Sequence, residues 1–324
     1  MNAILEAEGI TRIYGSKYAV DDVSLNLTDG NVHALIGESG SGKTTLARIL
    51  GGIEKQFSGQ LHVSPDKQVV LVQQDFVIWP ELSVAENISI GCRSRADRKQ
   101  LVPKIIDLIE LADRQFCKVG QLSYGQQQRI AIARALAARP DVIILDEPFA
   151  HLDIWLRQTM WNRCIEVFRE MEITSFWVTH NVQDALPIAH TVMVMINGKL
   201  EQIGSPQTIY GKPKSHSIAK LTGPYSYFSE PEWKQVGLDP EGIFAAGVKC
   251  VGCRPEQLNL VEATDGTFDG AKLRSWFTGP LILHKLAESD LSSSLWMTSA
   301  TEINPAKKYR LELTGTPFVL NEND

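Results

Sequence analysis

The chain has no apolar run approaching the roughly 20 residues that a bilayer-spanning helix requires. Its start, Met1-Asn2-Ala3-Ile4-Leu5-Glu6-Ala7-Glu8, is acidic and lacks the layout of an export signal, so a cytoplasmic chain is expected. Cysteine is sparse: Cys92, Cys117, Cys164, Cys250 and Cys253 are odd in number and scattered in spacing. That argues against a disulfide framework and suits a reducing compartment. Cys250-Val251-Gly252-Cys253 is a lone C-x-x-C without the second ligand pair of a structural zinc site, so it reads as two thiols in a strand and turn. Basic charge is not in excess either. With 32 Lys and Arg against 38 Asp and Glu the net charge is -6, so the whole chain carries no electrostatic signature of nucleic-acid binding. No tandem repeat or low-complexity segment occurs. What remains, 44% hydrophobic and 22% charged residues over 324 positions, is ordinary for a globular protein of about two domains.

Against this plain background one stretch stands out: Gly37-Glu38-Ser39-Gly40-Ser41-Gly42-Lys43-Thr44. It follows the apolar run 32–36 and leads into Thr45-Leu46-Ala47-Arg48-Ile49-Leu50, the order strand, glycine-rich loop, helix. It fits G-x-x-x-x-G-K-[ST], a loop whose N–H groups turn inward beside the positive end of the following helix and cradle phosphates. Lys43 is expected to reach the β- and γ-phosphates and Thr44 to ligate Mg²⁺. Kinases, GTPases, helicases and transport ATPases share such a loop, so it does not name a function alone.

The rest of the chain frames it. Alternation over 4–13 and 20–27 predicts antiparallel strands, turned at Gly15-Ser16 and closed by Thr28-Asp29-Gly30. The helix after the loop stops at Gly51-Gly52. Val69-Val70-Leu71-Val72 reads as a buried strand with Gln73-Gln74 at its end. Residues 83–120 read as a helical lobe in which Ser83 caps a helix and Pro103 must lie in a first turn or kink its helix. Leu122-Ser123-Tyr124-Gly125-Gln126 opens a further helix. Val142-Ile143-Ile144-Leu145 is a strand ending in Asp146-Glu147, and 174–179 is a strand ending at His180. Asn197-Gly198 marks a two-residue hairpin turn. Ser205-Pro206 begins a short helical tail. Beyond about residue 230 helical periodicity is scarce, and 243–251, 258–261, 281–286 and 309–313 read as strands of a small all-β domain.

In an open parallel sheet the strand C-termini meet the ligand crevice, which places Asp146 and Glu147 beside the phosphate loop. Asp146 is expected to hold Mg²⁺ and Glu147 to act as general base on the attacking water. With these parts in order, the chain resembles the ATP-binding cassette family of transport ATPases over about residues 1–220. Residues 37–44 are similar to its Walker A loop and 143–147 to Walker B. Gln74, before Asp75-Phe76-Val77-Ile78-Trp79-Pro80, resembles the Q-loop glutamine, a ligand of Mg²⁺ or water. Leu122-Ser123-Tyr124-Gly125-Gln126 resembles the signature LSGGQ, with Tyr124 in place of the first glycine. Ala150-His151-Leu152-Asp153 resembles the D-loop, His180 the histidine at the γ-phosphate, and Tyr14 the aromatic that stacks on adenine.

The resemblance implies ATP and Mg²⁺ as ligands. Glu147, His180 and Gln74 would be catalytic, and Thr44, Gln74 and Asp146 would hold the metal. Tyr14, the loop residues Gly37, Glu38, Ser39, Gly40, Ser41, Gly42, Lys43 and Thr44, then Thr45, would bind nucleotide. Ser123, Gly125 and Gln126 would serve the nucleotide of a second copy of the chain, so that two ATP sit between two subunits. Tyr124 is expected to point aside. Residues 76–79 would form a groove for a cytoplasmic helix of a transmembrane permease. Val251-Gly252-Cys253-Arg254-Pro255-Glu256 resembles a stretch in the C-terminal domain of importer ATPases for maltose, ferric iron, sulfate and polyamines.

The expected fold is therefore a P-loop α/β core with an N-terminal antiparallel β subdomain and a helical subdomain at about 83–138, all within 1–228. A small OB-like all-β domain, regulatory or dimerising, would follow at 229–324. The expected function is that of an importer ATPase, peripheral on the cytoplasmic face of the membrane, beside a permease and a solute-binding protein and without nucleic acid. A soluble cassette protein acting on nucleic acid or ribosomes is the alternative. Such proteins usually carry two cassettes or a long coiled coil, and neither is present. A P-loop kinase is the third reading.

Overall fold

The computed structural model describes residues 3–75, 77–150, 152–239, 242–244, 248–278, 282–286, 295–299 and 302–320. The expectations placed on Phe76 and His151 lie outside these residues. The chain divides into two compact units, Met1–Pro206 and Gln207–Asp324.

In the first unit, β1 (Ala3–Tyr14) and β2 (Lys17–Thr28) form the expected antiparallel hairpin, turned at Gly15 and Ser16. β3 (Val32–Ile36) leads into the loop and α1 (Lys43–Leu50), which ends at Gly51. β4 (Ser58–Val63) pairs with the other edge of β1. β5 (Val69–Val72) precedes α2 (Val84–Ser89), α3 (Arg95–Leu108) and α4 (Tyr124–Ala137). β6 (Val142–Asp146), α5 (Ile154–Glu170), β7 (Thr174–Thr179), α6 (Val182–Ala185), β8 (Thr191–Ile196) and β9 (Lys199–Gly204) complete the unit.

The central sheet runs β5-β6-β7-β3-β8-β9, parallel except for β9, which returns through Asn197-Gly198. Both turn residues have positive φ, 48° and 88°, as a tight hairpin requires. Every residue of β3, β6 and β7 is buried, as expected of parallel strands covered on both faces. The strand pleat sorts their side chains. Ile143, Leu145 and Trp177 pack with α4 and α5 residues on one face. Val142, Ile144, Phe176 and Val178 pack with α1 and the β1–β2 hairpin on the other.

The helical lobe begins where Ser83 and Glu86 form a reciprocal capping box on α2. Pro103 takes the second of its two expected places. Ser94 caps α3 well upstream, so the proline lies in the helix interior instead of its first turn.

The second unit starts with α7 (Pro206–Gly211), at the division between units, and α8 (His216–Thr222). β10 (Ser226–Ser229), α9 (Glu230–Gln235) and β11 (Cys250–Cys253) follow. β12 (Leu258–Glu262), β13 (Phe268–Asp269), β14 (Leu273–Phe277), β15 (Ile282–Leu286), β16 (Trp296–Ser299), β17 (Lys308–Leu313) and β18 (Phe318–Leu320) complete it. They form one sheet β10-β11-β18 and one sheet β13-β17-β12-β16-β15-β14 around Phe228, Trp233, Val251, Leu260, Met297 and Leu311. This is the expected OB-like, mostly β region. Two local readings change. α9 is a helix where none was expected, and the strand foreseen at 243–251 is Cys250–Cys253 among the described residues. Cys250 and Cys253 are buried within that strand, and burial pushes the Cys253 thiol up to about 12.

Candidate functional site

Register places the chemistry. β7 lies between β3 and β6, with Ile36 opposite Thr179 and Val178 opposite Asp146. The next residue along each chain is Gly37, His180 or Glu147, so these three emerge together from one edge of the sheet. Val72 is opposite Leu145, which brings Gln74, two residues beyond β5, toward the same edge.

The loop has the shape its glycines allow. Gly42 has φ 105°, and a Cβ there would stand 1.9 Å from the Ala19 carbonyl oxygen. Gly42 also caps α1 without a side-chain hydrogen bond, and no acidic residue occupies the first turn. The opening N–H groups of α1, from Lys43, Thr44 and Thr45, are therefore uncapped by side chains and suit an anion. Lys43 is buried, and its Nζ donates to the carbonyls of Gly37 (2.9 Å) and Glu38 (2.8 Å). Burial lowers its pKa, against the pull of Glu147 and Asp146.

Thr44 Oγ1 donates to Asp146 Oδ1 at 3.2 Å. Asp146 is 1% exposed, and burial raises its pKa in spite of that bond. A hydroxyl beside a desolvated carboxylate is a pair of hard oxygen donors suited to a small divalent cation. Among the described residues no group of three or more His, Cys, Asp or Glu could hold a metal. A cation here would complete its shell from phosphate oxygens and water.

Glu147 has φ 49°, a strained value for a residue with a side chain. Its N–H donates to the Val178 carbonyl at 2.9 Å. Its Oε1 lies 2.9 Å from His180 Nδ1. The structure adds one neighbour that the sequence did not single out: Gln128 of α4 donates through Nε2 to the Glu147 carbonyl at 3.4 Å. The only trace of it in the sequence is the second glutamine after the signature, last of the run Gln126-Gln127-Gln128.

The remaining expected residues lie on other elements. Tyr14, 47% exposed at the end of β1, donates through its hydroxyl to Glu54 Oε2 at 2.9 Å, and the Arg12 guanidinium lies 4.3 Å from its ring centre. One face of that ring is thus already covered by a cation. Ser123 caps α4: its Oγ accepts from the Gln126 N–H, and its own N–H donates to Gln126 Oε1. The hydroxyl hydrogen of Ser123 is not consumed by this cap. A Cβ on Gly125 would meet Leu152 Cδ2 at 2.5 Å, so helix α4 presses on the turn before Asp153. Tyr124 is 46% exposed.

Val77, 67% exposed, and Trp79 line a groove of about 350 Å³ with Val72, Ile90, Ala131 and Arg134. Arg134 builds it, donating to the Val77 carbonyl at 2.6 Å and lying 4.7 Å from the Trp79 ring centre. A wider cavity of about 820 Å³, lined by Asp29, Lys67, Arg139, Asp141 and Glu172, opens at the strand N-termini, away from this chemistry.

A model of the ABC transporter family matches residues 20–150. The Fe(3+) ions import ATP-binding protein of Escherichia coli O157:H7 is 35% identical over 277 residues, covering 79% of this chain and 79% of its own. The spermidine/putrescine import ATP-binding protein of Mesoplasma florum is 32% identical over 325 residues, covering 93% of this chain and 92% of its own. Among solved structures, a dimeric ATP-binding cassette in a post-hydrolysis state, bound to ADP and Pi, aligns with a TM-score of 0.57 at 27% identity. It covers 62% of this chain and 98% of its own.

Proposed function

The chain belongs to the ABC transporter family, and from that membership we propose that it is the ATP-hydrolysing subunit of an importer that drives solute uptake through a membrane permease. The observation that carries the chemistry is the Glu147–His180 contact at the sheet edge that also bears the phosphate loop.

Residues 37–45 bind the nucleotide phosphates through the loop and the first turn of α1. Lys43 exchanges the Gly37 and Glu38 carbonyls for phosphate oxygens. Thr44, Asp146 and Gln74 hold Mg²⁺, which when bound neutralises phosphate charge. Glu147 orients and deprotonates the attacking water, and His180 steadies the Glu147 carboxylate and faces the γ-phosphate. Tyr14 stacks on adenine with Arg12 behind it. Ser123, Gly125 and Gln126 serve the ATP of a second copy, so the working form is a head-to-tail homodimer around two ATP.

Residues 1–228 act as the nucleotide-binding domain, with the lobe at about 83–138 as its helical part. Residues 229–324 act as an OB-like regulatory or dimer-contact domain. The groove at Val77 and Trp79 receives a cytoplasmic helix of the permease. Among the described residues no helix is long and apolar enough to cross a membrane. The subunit works as a peripheral one on the cytoplasmic face, a reading that rests on its import ATP-binding relatives. A solute-binding protein delivers the cargo. The relatives' names cover ferric ions and polyamines, which supports cargo choice lying outside this subunit.

The test is Mg²⁺-dependent phosphate release by the purified chain, with light scattering of Glu147→Gln in ATP. Release of phosphate together with ATP-dependent dimers that Ser123→Arg abolishes is the expected result. Monomers of Glu147→Gln at saturating ATP would remove the two-copy site. Hydrolysis without added divalent cation would remove the metal assignment.

A further inference from the structure

Gln128 lies in α4 shortly after the Ser123–Gln126 cap. It is 1% exposed, on a helix whose other buried residues are mostly Ile, Ala and Leu. A buried amide is costly unless its donors and acceptor are bonded. Here Nε2 makes one bond, to the Glu147 carbonyl, at 3.4 Å, long for N–H···O. Its Oε1 is buried with no partner among the described residues. Methionine would fill the same volume without that penalty, so packing does not account for the amide.

The other end of the bond gives the reason. Glu147 holds a left-handed φ of 49°, which costs energy and persists only when its surroundings impose it. Its N–H is fastened to Val178 of β7 at 2.9 Å. Its carbonyl is reached by Gln128 from α4. The two peptide groups flanking its Cα are thus held from opposite sides while the carboxylate meets His180. With both peptides held, the direction of the side chain is set.

We propose that Gln128 is a positioning residue for Glu147, and that through it the first turn of α4 is tied to the carboxylate that acts on water. This rests on the reading of Glu147 as general base. Gln128 acts on the backbone of Glu147 and touches no reacting atom. The same helix presents Ser123 and Gln126 to the nucleotide of the second copy. The Gln128 amide is then a direct mechanical link between engagement in that copy's site and the aim of the base in its own.

Gln128→Met removes the donor at nearly constant volume, and Gln128→Glu keeps the length but only accepts when ionised. In full-length protein, kcat per nucleotide-binding site is expected to fall by at least ~10-fold in both, since small misplacement of a catalytic group is enough for such a loss. KM for ATP is expected to stay within about two-fold. The deciding measurement is the double-mutant cycle: in a Glu147→Gln background, Gln128→Met should change the residual rate by less than about two-fold, because the group it aims is gone. A kcat loss below about two-fold in the single variant, or an equal loss in both backgrounds, overturns the proposal. If Gln128→Met does not fold, Gln128→Glu carries the same cycle. Full turnover by Glu147→Gln alone would strike the base assignment instead, which is a separate outcome.

Discussion

His180 Nδ1 stands 2.9 Å from Glu147 Oε1, the two residues leaving adjacent parallel strands at the same edge. One ring nitrogen is therefore committed to the carboxylate, and the proposed phosphate contact falls to Nε2. The contact predicts different defects for the two partners. Glu147→Gln should retain ATP binding and lose turnover by ~10²–10⁴-fold, the usual contribution of a general base. His180→Ala leaves the base in place but unsteadied, so its loss should be smaller, on the order of 10–10²-fold. Phosphate release and fluorescent-nucleotide binding measured side by side decide this. Equal turnover in His180→Ala and the parent chain would remove His180 from the site.

Asp146 links the proposed metal site to stability. Burial raises its pKa above the ordinary 3.8, and the Thr44 hydroxyl only partly opposes this. The folded chain therefore holds that proton more tightly than the unfolded chain. The stability this group contributes is full below about pH 3.8 and is lost as pH rises through the raised folded value. At neutral pH without divalent cation the ionised carboxylate is a net cost. Asp146→Asn should then raise Tm in Mg²⁺-free buffer. Lys43 keeps Glu147 as its stronger counter-charge, so the substitution does not strand it. The same variant should lose Mg²⁺-dependent hydrolysis. Thermal melts with and without Mg²⁺ check both, and a lowered Tm in Mg²⁺-free buffer would refute the argument.

What could be read from the sequence was what short-range chemistry decides. The glycine loop, the Asn197-Gly198 turn and the Ser123–Gln126 cap each specify their geometry within a few residues. Parallel runs such as Val142-Ile143-Ile144-Leu145 state their own burial. The misreadings occurred where distant partners decide. Helical periodicity is scarce beyond residue 230, yet with the Ser229–Glu232 capping box Pro231 starts α9, whose Trp233 is buried. The apolar run before Cys250 does not fix where pairing begins. Among the described residues, Ser226–Ser229 and Phe318–Leu320, far away in the chain, pair with Cys250–Cys253. Gln128 was invisible for the same reason, since its meaning lies in the carbonyl of Glu147, on another element.

Arg254 explains the one motif of the second unit that ATP chemistry leaves unused. It is 1% exposed, donates to the carbonyls of Tyr210, Ala219, Gly223 and Pro224 and to Thr222 Oγ1, and lies 4.2 Å from the Tyr210 ring centre. Those carbonyls include the end of α8, where cationic side chains are favoured. Arg254→Met should leave them unsatisfied and destabilise this unit by about 3–5 kcal/mol, as loss of one partner from a buried charged network does. Hydrogen exchange should then rise across 207–224, while ATP hydrolysis by the first unit stays within about two-fold. Unchanged exchange there would show that the clamp is not what orders the segment.

Val77 and Trp79 test the division of labour between hydrolysis and transport. Arg134 fixes both from α4, through the Val77 carbonyl at 2.6 Å and the Trp79 ring at 4.7 Å. Val77 is 67% exposed, so a charge there costs the isolated subunit little. Neither side chain takes part in the Glu147–His180 contact or the phosphate loop. Val77→Asp and Trp79→Ala should therefore keep basal ATP hydrolysis within about two-fold of the parent chain. An apolar partner helix laid in the groove would lose far more, since a buried aspartate or a vacated tryptophan pocket costs on the order of 2–4 kcal/mol at an interface centre. Expected, then, are normal ATPase rates in solution together with failure to co-purify with the permease and loss of uptake in cells. If both variants assemble and transport normally, the groove is not the permease contact. If basal hydrolysis falls as well, the segment after Gln74 is part of the catalytic site and not a docking face.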